Sequence, residues 1–419
     1  MPQERLARLE REGAYTSFQS ELAFKKELNI LRNDFYYQLI NSKTVALVDF
    51  MYKPLDVLSG DAYSARRINE HKTFYLLVDG MGKGISAAFT AVIMTTFINH
   101  LLDKMIEFES FSLDLLIQES LAYIQPILLE DEVLAIDYIC FDSYFKELEY
   151  AKFAMPPFLL EDTNHKIIKI KSNNTPLSKW QKSYTIDKLS VENIKKYLFY
   201  SDGVVENSTK EEGLTYAAFI EQDFKNSFSR EEFKEKFLSR IDTQEDDVSL
   251  IFLSTLELSH HTLLASKTFK TKLTELDEAN AWYEGVFKEL HADENLMAKA
   301  EVVFSELFMN AYEHGNLGID SFEKHQYLEE DTYFERLEKL EAQNDKKIDV
   351  SVFKLHEANG DYIVTRISDE GEGFDTQILS EIFRNSVKFN GRGVFVSRKN
   401  SMGIYYNTEG NCVLFLHKV

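Results

Sequence analysis

Acidic residues stand at four points where apolar runs of this sequence begin or end. They are Asp61, Asp79, Asp202 and the pair Asp246-Asp247. Because short apolar runs predict strands, one edge of a sheet can bring such carboxylates together. Clustered carboxylates repel one another unless a cation lies between them, and hard oxygen ligands suit Mg²⁺ or Mn²⁺. Two such ions about 3.5–4 Å apart hold a hydroxide for in-line attack on phosphorus. The residue types therefore predict metal-assisted hydrolysis of a phosphate ester.

A glycine-rich bend follows Asp79, between an apolar run that predicts a strand and Ile85 to Phe89, which predicts the start of a helix. A P-loop needs Gly-x-x-x-x-Gly-Lys-Ser/Thr, but Lys83 is followed by glycine. A dinucleotide-binding loop needs Gly-x-Gly-x-x-Gly, and the glycines at 80, 82 and 84 are spaced differently. Two interpretations remain, an ordinary strand-to-helix turn and a bend that presents Asp79 to a metal.

The elements that must position these acids are strands and helices in mixed order. Residues 41–256 predict two helices, Ser86 to Leu102 and Leu113 to Ile124, among short strands. The strands are predicted at Val45 to Phe50, Phe74 to Val78, Ala135 to Phe141, Leu148 to Phe153, Ile167 to Ile170, Leu198 to Tyr200 and Val248 to Leu253. Strands, then helices, then strands favour an α+β fold with sheets covered by helices over regular βαβ alternation.

A polar passage at 257–272 is the predicted linker to a further domain, residues 273–419. There, Leu296 to Ala311 predicts a helix, and Ile348 to Phe353 and Tyr362 to Ile367 predict paired strands. The charged stretch Phe322 to Lys347 is interpreted as a solvated helical insertion.

Residues 1–40 predict a helical segment. Its apolar positions are spaced by three or four, at Phe24, Leu28, Leu31, Phe35 and Leu39. Such a stripe is typical of a helix packed on its own domain. A homodimer through this helix, able to transmit a signal, is the second hypothesis.

The composition limits the compartment and the partners. The chain has 419 residues, with 47 Lys and Arg against 69 Asp and Glu, a net charge of −22. A surface this acidic repels phosphate backbones and anionic lipid, so neither nucleic acid nor a membrane is expected as a partner. Cys140 and Cys412 lie in apolar runs and predict buried thiols. The N-terminus lacks the apolar core of a signal peptide, and Ala87 to Ile98 is too short to span a bilayer, so a cytoplasmic protein is expected.

Four motifs follow one another in the first predicted domain. They are Ser-Gly-Asp at 59–61, Val-Asp-Gly-Met-Gly-Lys-Gly at 78–84, Tyr-Ser-Asp-Gly-Val-x-Glu at 200–206 and Asp-Asp-x-Ser at 246–249. This set resembles the SpoIIE-like branch of the PPM-type metal-dependent Ser/Thr protein phosphatases. The resemblance covers about residues 41–256 and implies an α-β-β-α sandwich.

The resemblance also implies the ligands of two Mg²⁺ or Mn²⁺ ions. Asp61, Asp79, Asp202 and Asp246 would be the carboxylate ligands, with Asp79 bridging the ions and Gly80 lending its carbonyl. Asp246 is preferred over Asp247 because the first acid of the pair occupies the family's ligand position. The chain departs from the family at Lys152-Phe153-Ala154-Met155-Pro156-Pro157, where many relatives have Asn-Ala-Gly-His-Pro-Pro. This departure bears on substrate contacts and leaves the metal set intact.

The second predicted domain has polar residues in a helical pattern within Glu301 to Gly315. Glu306, Asn310 and His314 fall at i, i+4 and i+8, on one face of a helix. An amphipathic helix with a polar face is the simpler interpretation.

Glycine pairs follow later in this domain. Asp369 ends an apolar run before Gly371 and Gly373, and Gly391-Arg392-Gly393 supplies a second pair. Such residues can hold an adenine and let backbone amides approach phosphates.

Together these motifs resemble the N, G1 and G2 boxes of the GHKL (Bergerat) ATPase fold, in the branch of anti-sigma-factor serine kinases such as RsbW and SpoIIAB. The resemblance covers about residues 265–419 and implies a two-layer α/β sandwich that binds ATP with Mg²⁺. Glu306 would be the catalytic base, Asn310 the Mg²⁺ ligand and Asp369 the partner of the adenine amino group. Gly371, Gly373, Gly391 and Gly393 would shape the nucleotide pocket, with Arg392 near it.

Two departures bear on phosphate transfer more than on ATP binding. The segment between Phe374 and Gly391 is short, and Gly410-Asn411-Cys412 stands where relatives often have Gly-Thr.

The sequence thus predicts a partner-switching regulator with a phosphatase and a serine kinase-like domain. The resemblance implies that its partner is a STAS-domain anti-sigma-factor antagonist, or a sigma factor. The alternative is a phosphatase whose GHKL domain is a nucleotide-binding docking scaffold. A histidine kinase is disfavoured because His314 lies within the nucleotide motif.

Overall fold

The computed structural model describes residues 22–23, 26–41, 43–82, 84–376, 379 and 392–419. The chain divides into two compact units. The first comprises residues 1–33, 49–225 and 236–252, and the second comprises residues 34–48, 226–235 and 253–419. The division near residue 252 lies close to the predicted domain boundary, but two earlier segments also belong to the second unit.

The described residues form strands in three sheets. The first sheet has the order β1-β4-β5-β6-β7-β11, with β10 paired to β6; its strands are β1 (Arg32–Asn33), β4 (Asp61–Arg67), β5 (Lys72–Gly80), β6 (Val133–Asp142), β7 (Glu147–Phe153), β10 (Leu177–Ser178) and β11 (Asp187–Ser190). The second has the order β2-β3-β13-β12-β8-β9; its strands are β2 (Tyr37–Leu39), β3 (Thr44–Lys53), β8 (Phe158–Asp162), β9 (Ile167–Ile170), β12 (Ile194–Tyr200) and β13 (Val248–Glu257). The third has the order β14-β15-β16-β18-β17; its strands are β14 (Leu263–Lys270), β15 (Lys347–Glu357), β16 (Gly360–Asp369), β17 (Gly403–Tyr406) and β18 (Cys412–Lys418).

Helices accompany these sheets. Residues 26–30 form α1. The helices that follow in the described residues are α2 (Ile85–Glu107), α3 (Leu113–Ile124), α4 (Asp202–Glu206), α5 (Ile220–Lys225), α6 (Arg230–Arg240), α7 (Glu275–Glu289), α8 (Glu294–Asn310), α9 (Ser321–Glu329), α10 (Tyr333–Glu341) and α11 (Arg392–Lys399). A short 3₁₀ turn lies at Tyr216–Ala218, and a π-helical turn follows α8 at Ala311–Asn316.

The first unit is a sandwich of the first two sheets. Aromatic pairs join their inner faces, with ring centroids 6.0 Å apart for Tyr75 and Phe199 and 5.4 Å apart for Tyr150 and Phe158. Helices α2 and α3 cover the outer face of the first sheet. On the second sheet, Phe224 of α5 contacts Phe252 of β13 edge to face. This α-β-β-α layering agrees with the predicted fold of the first domain.

The second unit has two layers, a mostly antiparallel sheet and a helical layer. Tyr283 of α7 stacks on Phe304 of α8 with 4.1 Å between ring centroids, and its hydroxyl lies 2.9 Å from the Thr365 hydroxyl on β16. On the same face, Phe269 of β14 meets Phe308 of α8 edge to face. The mixed α+β class is therefore confirmed for both units.

Segments from earlier in the chain complete the second unit. Tyr36, Tyr37, Val45 and Leu47 belong to its apolar core, as does Phe228. The Glu232 carboxylate accepts hydrogen bonds from the Tyr362 hydroxyl at 2.8 Å and from Lys418 Nζ at 2.7 Å. Strands β3 and β13 and helix α6 consequently run from one unit into the other.

Most predicted elements are confirmed. Helix α3 has the predicted bounds, and α8 begins two residues before the predicted helix. All the predicted strands fall within observed ones.

Three expectations need correction. The helical stripe was expected to reach Leu39, but residues 32–33 and 37–39 are strands β1 and β2, because Phe35 and Tyr37 are buried from extended backbone rather than from a helix. Phe24 lies outside the described residues. Half of the predicted linker, residues 263–270, is strand β14. The charged insertion is helical, but Tyr333 and Leu337 of α10 are buried, so it packs on the domain.

Helix α2 is longer than the apolar stretch considered from sequence. In the described residues it alone is long and apolar enough to cross a membrane by length and composition, and half of its apolar window, 50%, is buried. Ala88, Ala91, Met94 and Ile98 are fully buried along one side. It packs against β4 and β5 of the first sheet, as an amphipathic helix packs on a core.

Candidate functional site

Asp61 and Asp79 are direct neighbours across two strands. The antiparallel register of β4 and β5 pairs them, because Asp61 begins one strand where Asp79 is the penultimate residue of the other. The strand ends are tied together by a backbone hydrogen bond from Gly80 N to Gly60 O at 2.9 Å. Asp61 is 3% exposed, and its Oδ2 accepts a hydrogen bond from Ser201 Oγ at 2.6 Å.

Asp202 and Asp246 come to the same place from the second sheet. Asp202 begins α4 directly after β12, and Asp246 stands just before β13. Ser201 fastens these strand ends together, because its N–H donates to Ser249 O at 2.9 Å and its Oγ accepts from Ser249 N at 3.1 Å. The four sequence-predicted carboxylates thus meet where both sheets end.

The electrostatics confirm that these acids are close to one another. Burial, followed by the neighbouring charges of Asp61, Asp202 and Asp246, raises the pKa of Asp79 to about 10. Burial raises the pKa of Asp61 well above its usual range, although hydrogen bonds from Ser201 and Ser249 oppose the change. When buried carboxylates raise one another's pKa in this way, a bound cation stabilises their ionised form.

The donor set fits Mg²⁺ or Mn²⁺. Within the described ranges, no three Asp, Glu, His or Cys side chains already converge as one coordination shell. The centre is nevertheless made of carboxylates around the Gly80 backbone, which are hard oxygen donors.

Asp247, the alternative ligand, has a different task. Its Oδ1 accepts a hydrogen bond from Leu55 N and its Oδ2 one from Gly60 N, both at 2.6 Å. The side chain is buried, 6% exposed. Because both carboxylate oxygens hold backbone amides, Asp247 fixes the loop that leads to Asp61. This arrangement favours Asp246 as the ligand.

Two glycines permit the close packing of the centre. A Cβ at Gly80 would lie 2.6 Å from Ala87 O, and a Cβ at Gly203 would lie 1.9 Å from Asp247 O. Both obstacles are backbone atoms, so neither can move aside easily. The glycines of two predicted motifs therefore serve chain packing beside Asp79 and Asp202.

The segment that departs from the family motif forms a buried ion pair. Lys152 and Asp137 face each other across β7 and β6, with 2.7 Å between Nζ and Oδ2, and both are almost fully buried. Burial lowers the pKa of Lys152 and raises that of Asp137. Ala154, at the family's glycine position, has a φ of 57°. The backbone therefore keeps a left-handed residue even though the side chain has changed.

Part of the predicted nucleotide site is brought together in the second unit. Glu306 and Asn310 lie half-buried on α8, and Asp369 ends β16. A Cβ at Gly315 would lie 2.5 Å from Asp369 Cγ, so the end of the helical motif packs directly on this carboxylate. Glu306 and Asp369 both lie near buried Tyr406, whose pKa is raised by burial and by these two charges.

Asp369 has the electrostatic character of a partly buried acid. Burial raises its pKa to about 6, and the Gly371 N–H and Lys346 oppose that change. Gly371 N donates to Asp369 Oδ1 at 2.9 Å, and Gly373 has a φ of 75°. Gly391 lies outside the described residues, and Arg392 and Gly393 begin α11.

His314, the last member of the predicted polar face, lies in the π-helical turn that follows α8. The helix widens into a π-turn at Ala311–Asn316, which shifts the following residues around the axis. His314 is exposed, and its Nδ1 lies 2.5 Å from Ile319 O.

Other structural residues were missed from sequence. Asn316 accepts from Glu370 N at 2.8 Å and donates to Thr271 Oγ1 at 2.8 Å. Ser201 and Ser249 lie within the sequence motifs near Asp202 and Asp247. Their positions near these acids could have indicated that they hold the strand ends together.

Residues 69–256 match the model of the family described as Stage II sporulation protein E (SpoIIE). The match supports a SpoIIE-type phosphatase domain in this part of the chain.

A similar protein is phosphoserine phosphatase RsbP of Bacillus subtilis (strain 168). The two are 24% identical over 197 residues, which are 45% of this chain and 47% of RsbP. The chain therefore spans about half the length of this curated relative.

Solved structures offer distant similarities. The RsbU and RsbW domains of Rv1364c from Mycobacterium tuberculosis are 15% identical, with 89% of this chain and 92% of that chain covered and a TM-score of 0.45. The PP2C phosphatase domain and regulatory-domain fragment of SpoIIE from Bacillus subtilis are 17% identical, with 50% and 63% covered and a TM-score of 0.40. Both TM-scores are low, so neither similarity bears on activity.

Proposed function

We propose that the chain is a metal-dependent protein phosphatase that removes phosphate from serine or threonine of a partner protein. The observation that carries this proposal is the meeting of Asp61, Asp79, Asp202 and Asp246 at one end of the sandwich, where burial and then the neighbouring charges raise the pKa of Asp79. The SpoIIE-type match over the same region supports it.

Each residue has a task in this reaction. Asp61, Asp79, Asp202 and Asp246 would hold two Mg²⁺ or Mn²⁺ ions with the Gly80 carbonyl, and Asp79 would bridge them. The bound ions would supply a hydroxide and neutralise charge on the phosphate. Ser201 orients Asp61 through its hydrogen bond, and Asp247 holds the preceding loop. Burial excludes water from the far side of Asp61 and keeps its geometry fixed.

The test is Asp79→Asn, assayed for Mn²⁺-dependent release of phosphate from a serine-phosphorylated STAS-domain protein. The expected loss is about 1,000-fold, because a bridging ligand contributes several kcal/mol. The matched control is Asp142→Asn, at the opposite end of the same β5–β6 pair. Undiminished activity of Asp79→Asn would contradict the two-metal assignment.

The proposed substrate is a phosphorylated STAS-type anti-sigma-factor antagonist in the cytoplasm. Two observations support this substrate. The chain is similar to RsbP, which is a phosphoserine phosphatase, and its motifs resemble those of the family. A sigma factor is a further proposed partner. Purification of partners from cells, followed by mixing each with the chain, Mn²⁺ and ATP, tests this assignment.

For the second unit we propose ATP binding with Mg²⁺ and phosphate transfer to serine of the same kind of partner. Glu306 would act as base, Asn310 would bind Mg²⁺, and Asp369 would accept the adenine amino group. Gly371, Gly373, Gly391, Arg392 and Gly393 would complete the nucleotide pocket. The nearness of both Glu306 and Asp369 to Tyr406 supports a shared site.

The alternative for this unit is a docking scaffold that binds nucleotide without transfer. The sequence Gly410-Asn411-Cys412 favours it, since it replaces the Gly-Thr of many relatives. Transfer from labelled ATP to a STAS-domain protein, abolished by Glu306→Ala, would establish the kinase. Retained ATP binding without transfer would establish the scaffold.

A further inference from the structure

The loop that delivers Asp61 is held at three consecutive amides. Residues 54–60 have no regular secondary structure between β3 and β4. Ser59 N donates to Glu27 Oε1 at 2.8 Å, Gly60 N donates to Asp247 Oδ2 at 2.6 Å, and Asp61 N donates to Ser59 Oγ at 3.1 Å. The three amides that enter Asp61 are thus held by side-chain oxygens, while the Gly60 carbonyl accepts from Gly80 N of β5.

Glu27 comes from α1, 32 positions earlier in the chain. Its side chain is 3% exposed, and Ser59 is 1% exposed. A carboxylate is seldom buried unless hydrogen bonds within the protein replace those that it makes with water. The buried Glu27 carboxylate therefore depends on its hydrogen bond from Ser59 N. Tyr52 of β3 joins the group, with side-chain hydrogen bonds to Glu27 and Ser59.

The contact leads directly to the candidate ligand. Ser59 receives Glu27 at its amide and uses its hydroxyl to hold the amide of Asp61. The Tyr52 hydroxyl also reaches Asp61 O at 3.5 Å. A change at Glu27 is therefore expected to reach the backbone of Asp61 through Ser59.

We propose that Glu27 is a positioning residue for the metal centre, through which α1 sets how well Asp61 binds Mn²⁺ or Mg²⁺. The inference rests on the proposed function for the identity of the metal site. The segment ahead of the sandwich would then control metal affinity through one buried hydrogen bond.

The test measures Mn²⁺ binding to the full chain by isothermal titration calorimetry, so that it does not depend on phosphatase activity. Glu27→Ala is expected to raise the Kd for Mn²⁺ about tenfold, as the loss of a residue supporting a ligand commonly does. Glu27→Gln keeps an oxygen acceptor for Ser59 N, so its Kd is expected within about threefold of the original chain.

Leu28→Ala is the matched control, since Leu28 is 8% exposed on the same turn of α1. It is expected to lower the melting temperature without changing the Kd for Mn²⁺. Circular dichroism checks folding, and Glu27→Asp, which is one methylene too short, replaces Glu27→Ala if the latter does not fold.

An unchanged Kd in the folded Glu27 variant would overturn the proposal, as would an equal rise in Leu28→Ala. If the original chain binds no Mn²⁺, the metal centre itself is wrong. If it binds Mn²⁺ without releasing phosphate, the proposed reaction fails while the role of Glu27 remains measurable.

Discussion

The two candidate sites of this chain are built differently. Around Asp61 and Asp79, backbone packs closely on backbone, and the amides of Gly60 and Asp61 donate to side-chain oxygens. Around Asp369 backbone also packs on backbone, since a Cβ at Gly371 would lie 2.2 Å from Gly315 O. The difference is that Asp369 itself is only half-buried and that the close neighbour of Gly315 is its side chain. The first site must hold repelling carboxylates in place, which requires rigidity. The second must admit a large ligand, which needs room.

The largest difference between the sites is expected from one substitution made in each. Gly203→Ala places a Cβ 1.9 Å from Asp247 O, a backbone atom, and should lower the free energy of unfolding by about 3 kcal/mol. Gly315→Ala meets the Asp369 side chain instead and should cost about 1 kcal/mol while weakening ATP binding. Urea unfolding of both variants measures this. Equal losses would show that the two sites are equally rigid.

Substitutions at Asp246 and Asp247 can distinguish a metal ligand from a residue that holds the neighbouring loop. In Asp247→Asn one amide nitrogen must face a backbone N–H, so a loss of about 2 kcal/mol in unfolding free energy is expected. Asp246→Asn should instead raise the Kd for Mn²⁺ about tenfold or more with little change in stability. The reverse pattern in calorimetry and thermal melting would make Asp247 the ligand.

The second site should respond to pH. Asp369 has a pKa raised to about 6, with Lys346 and the Gly371 N–H facing it. In the proposed ATP site, ionised Asp369 would accept the adenine amino group, so ATP affinity should fall as the pH drops below about 6. Since the folded-state pKa is the higher one, this residue makes folding less favourable as the pH rises between its unfolded and folded values. Fluorescence titration with labelled ATP from pH 5 to 8 tests this, and Asp369→Asn should give a flat profile.

The smallest effect is expected beside the first site. Ala154 has a φ of 57°, a left-handed conformation that is costly for alanine. Ala154→Gly should therefore raise the free energy of unfolding by about 1 kcal/mol. Ala151→Gly, in the extended strand β7, is the control and should lower it by a similar amount. A lower melting temperature for Ala154→Gly would show that the loop gains nothing from glycine there.

Local patterns account for what could be predicted from sequence. The acids of the first site stand at the ends of apolar strands, so counting runs was enough to place Asp79 and Asp202. The spacing near Leu31 and Phe35 misled, because buried residues in short irregular strands can mimic a helical stripe. The polarity of residues 257–272 also led to a wrong prediction, that of a linker. Polar residues occur there because the edge strand β14 alternates half-buried and exposed side chains.

Contacts between distant segments could not be predicted. Nothing around Glu27 indicates that it holds Ser59, and nothing in Asp246-Asp247 shows which acid faces the loop. The π-turn after Asn310 is equally hidden, because its sequence continues a good helical pattern. Such features depend on tertiary packing rather than on periodicity.

The interleaved path of the chain has a consequence for how the gene can be divided. A fragment ending near residue 256 would keep Tyr36, Tyr37, Val45, Leu47 and Phe228 but lose the apolar residues that cover them in the second unit. Such a fragment would expose an apolar surface to water and would be prone to aggregate. Recombination that exchanges one half for a homologue would fail for the same reason. A cut near residue 256 therefore divides the apolar core of the second unit.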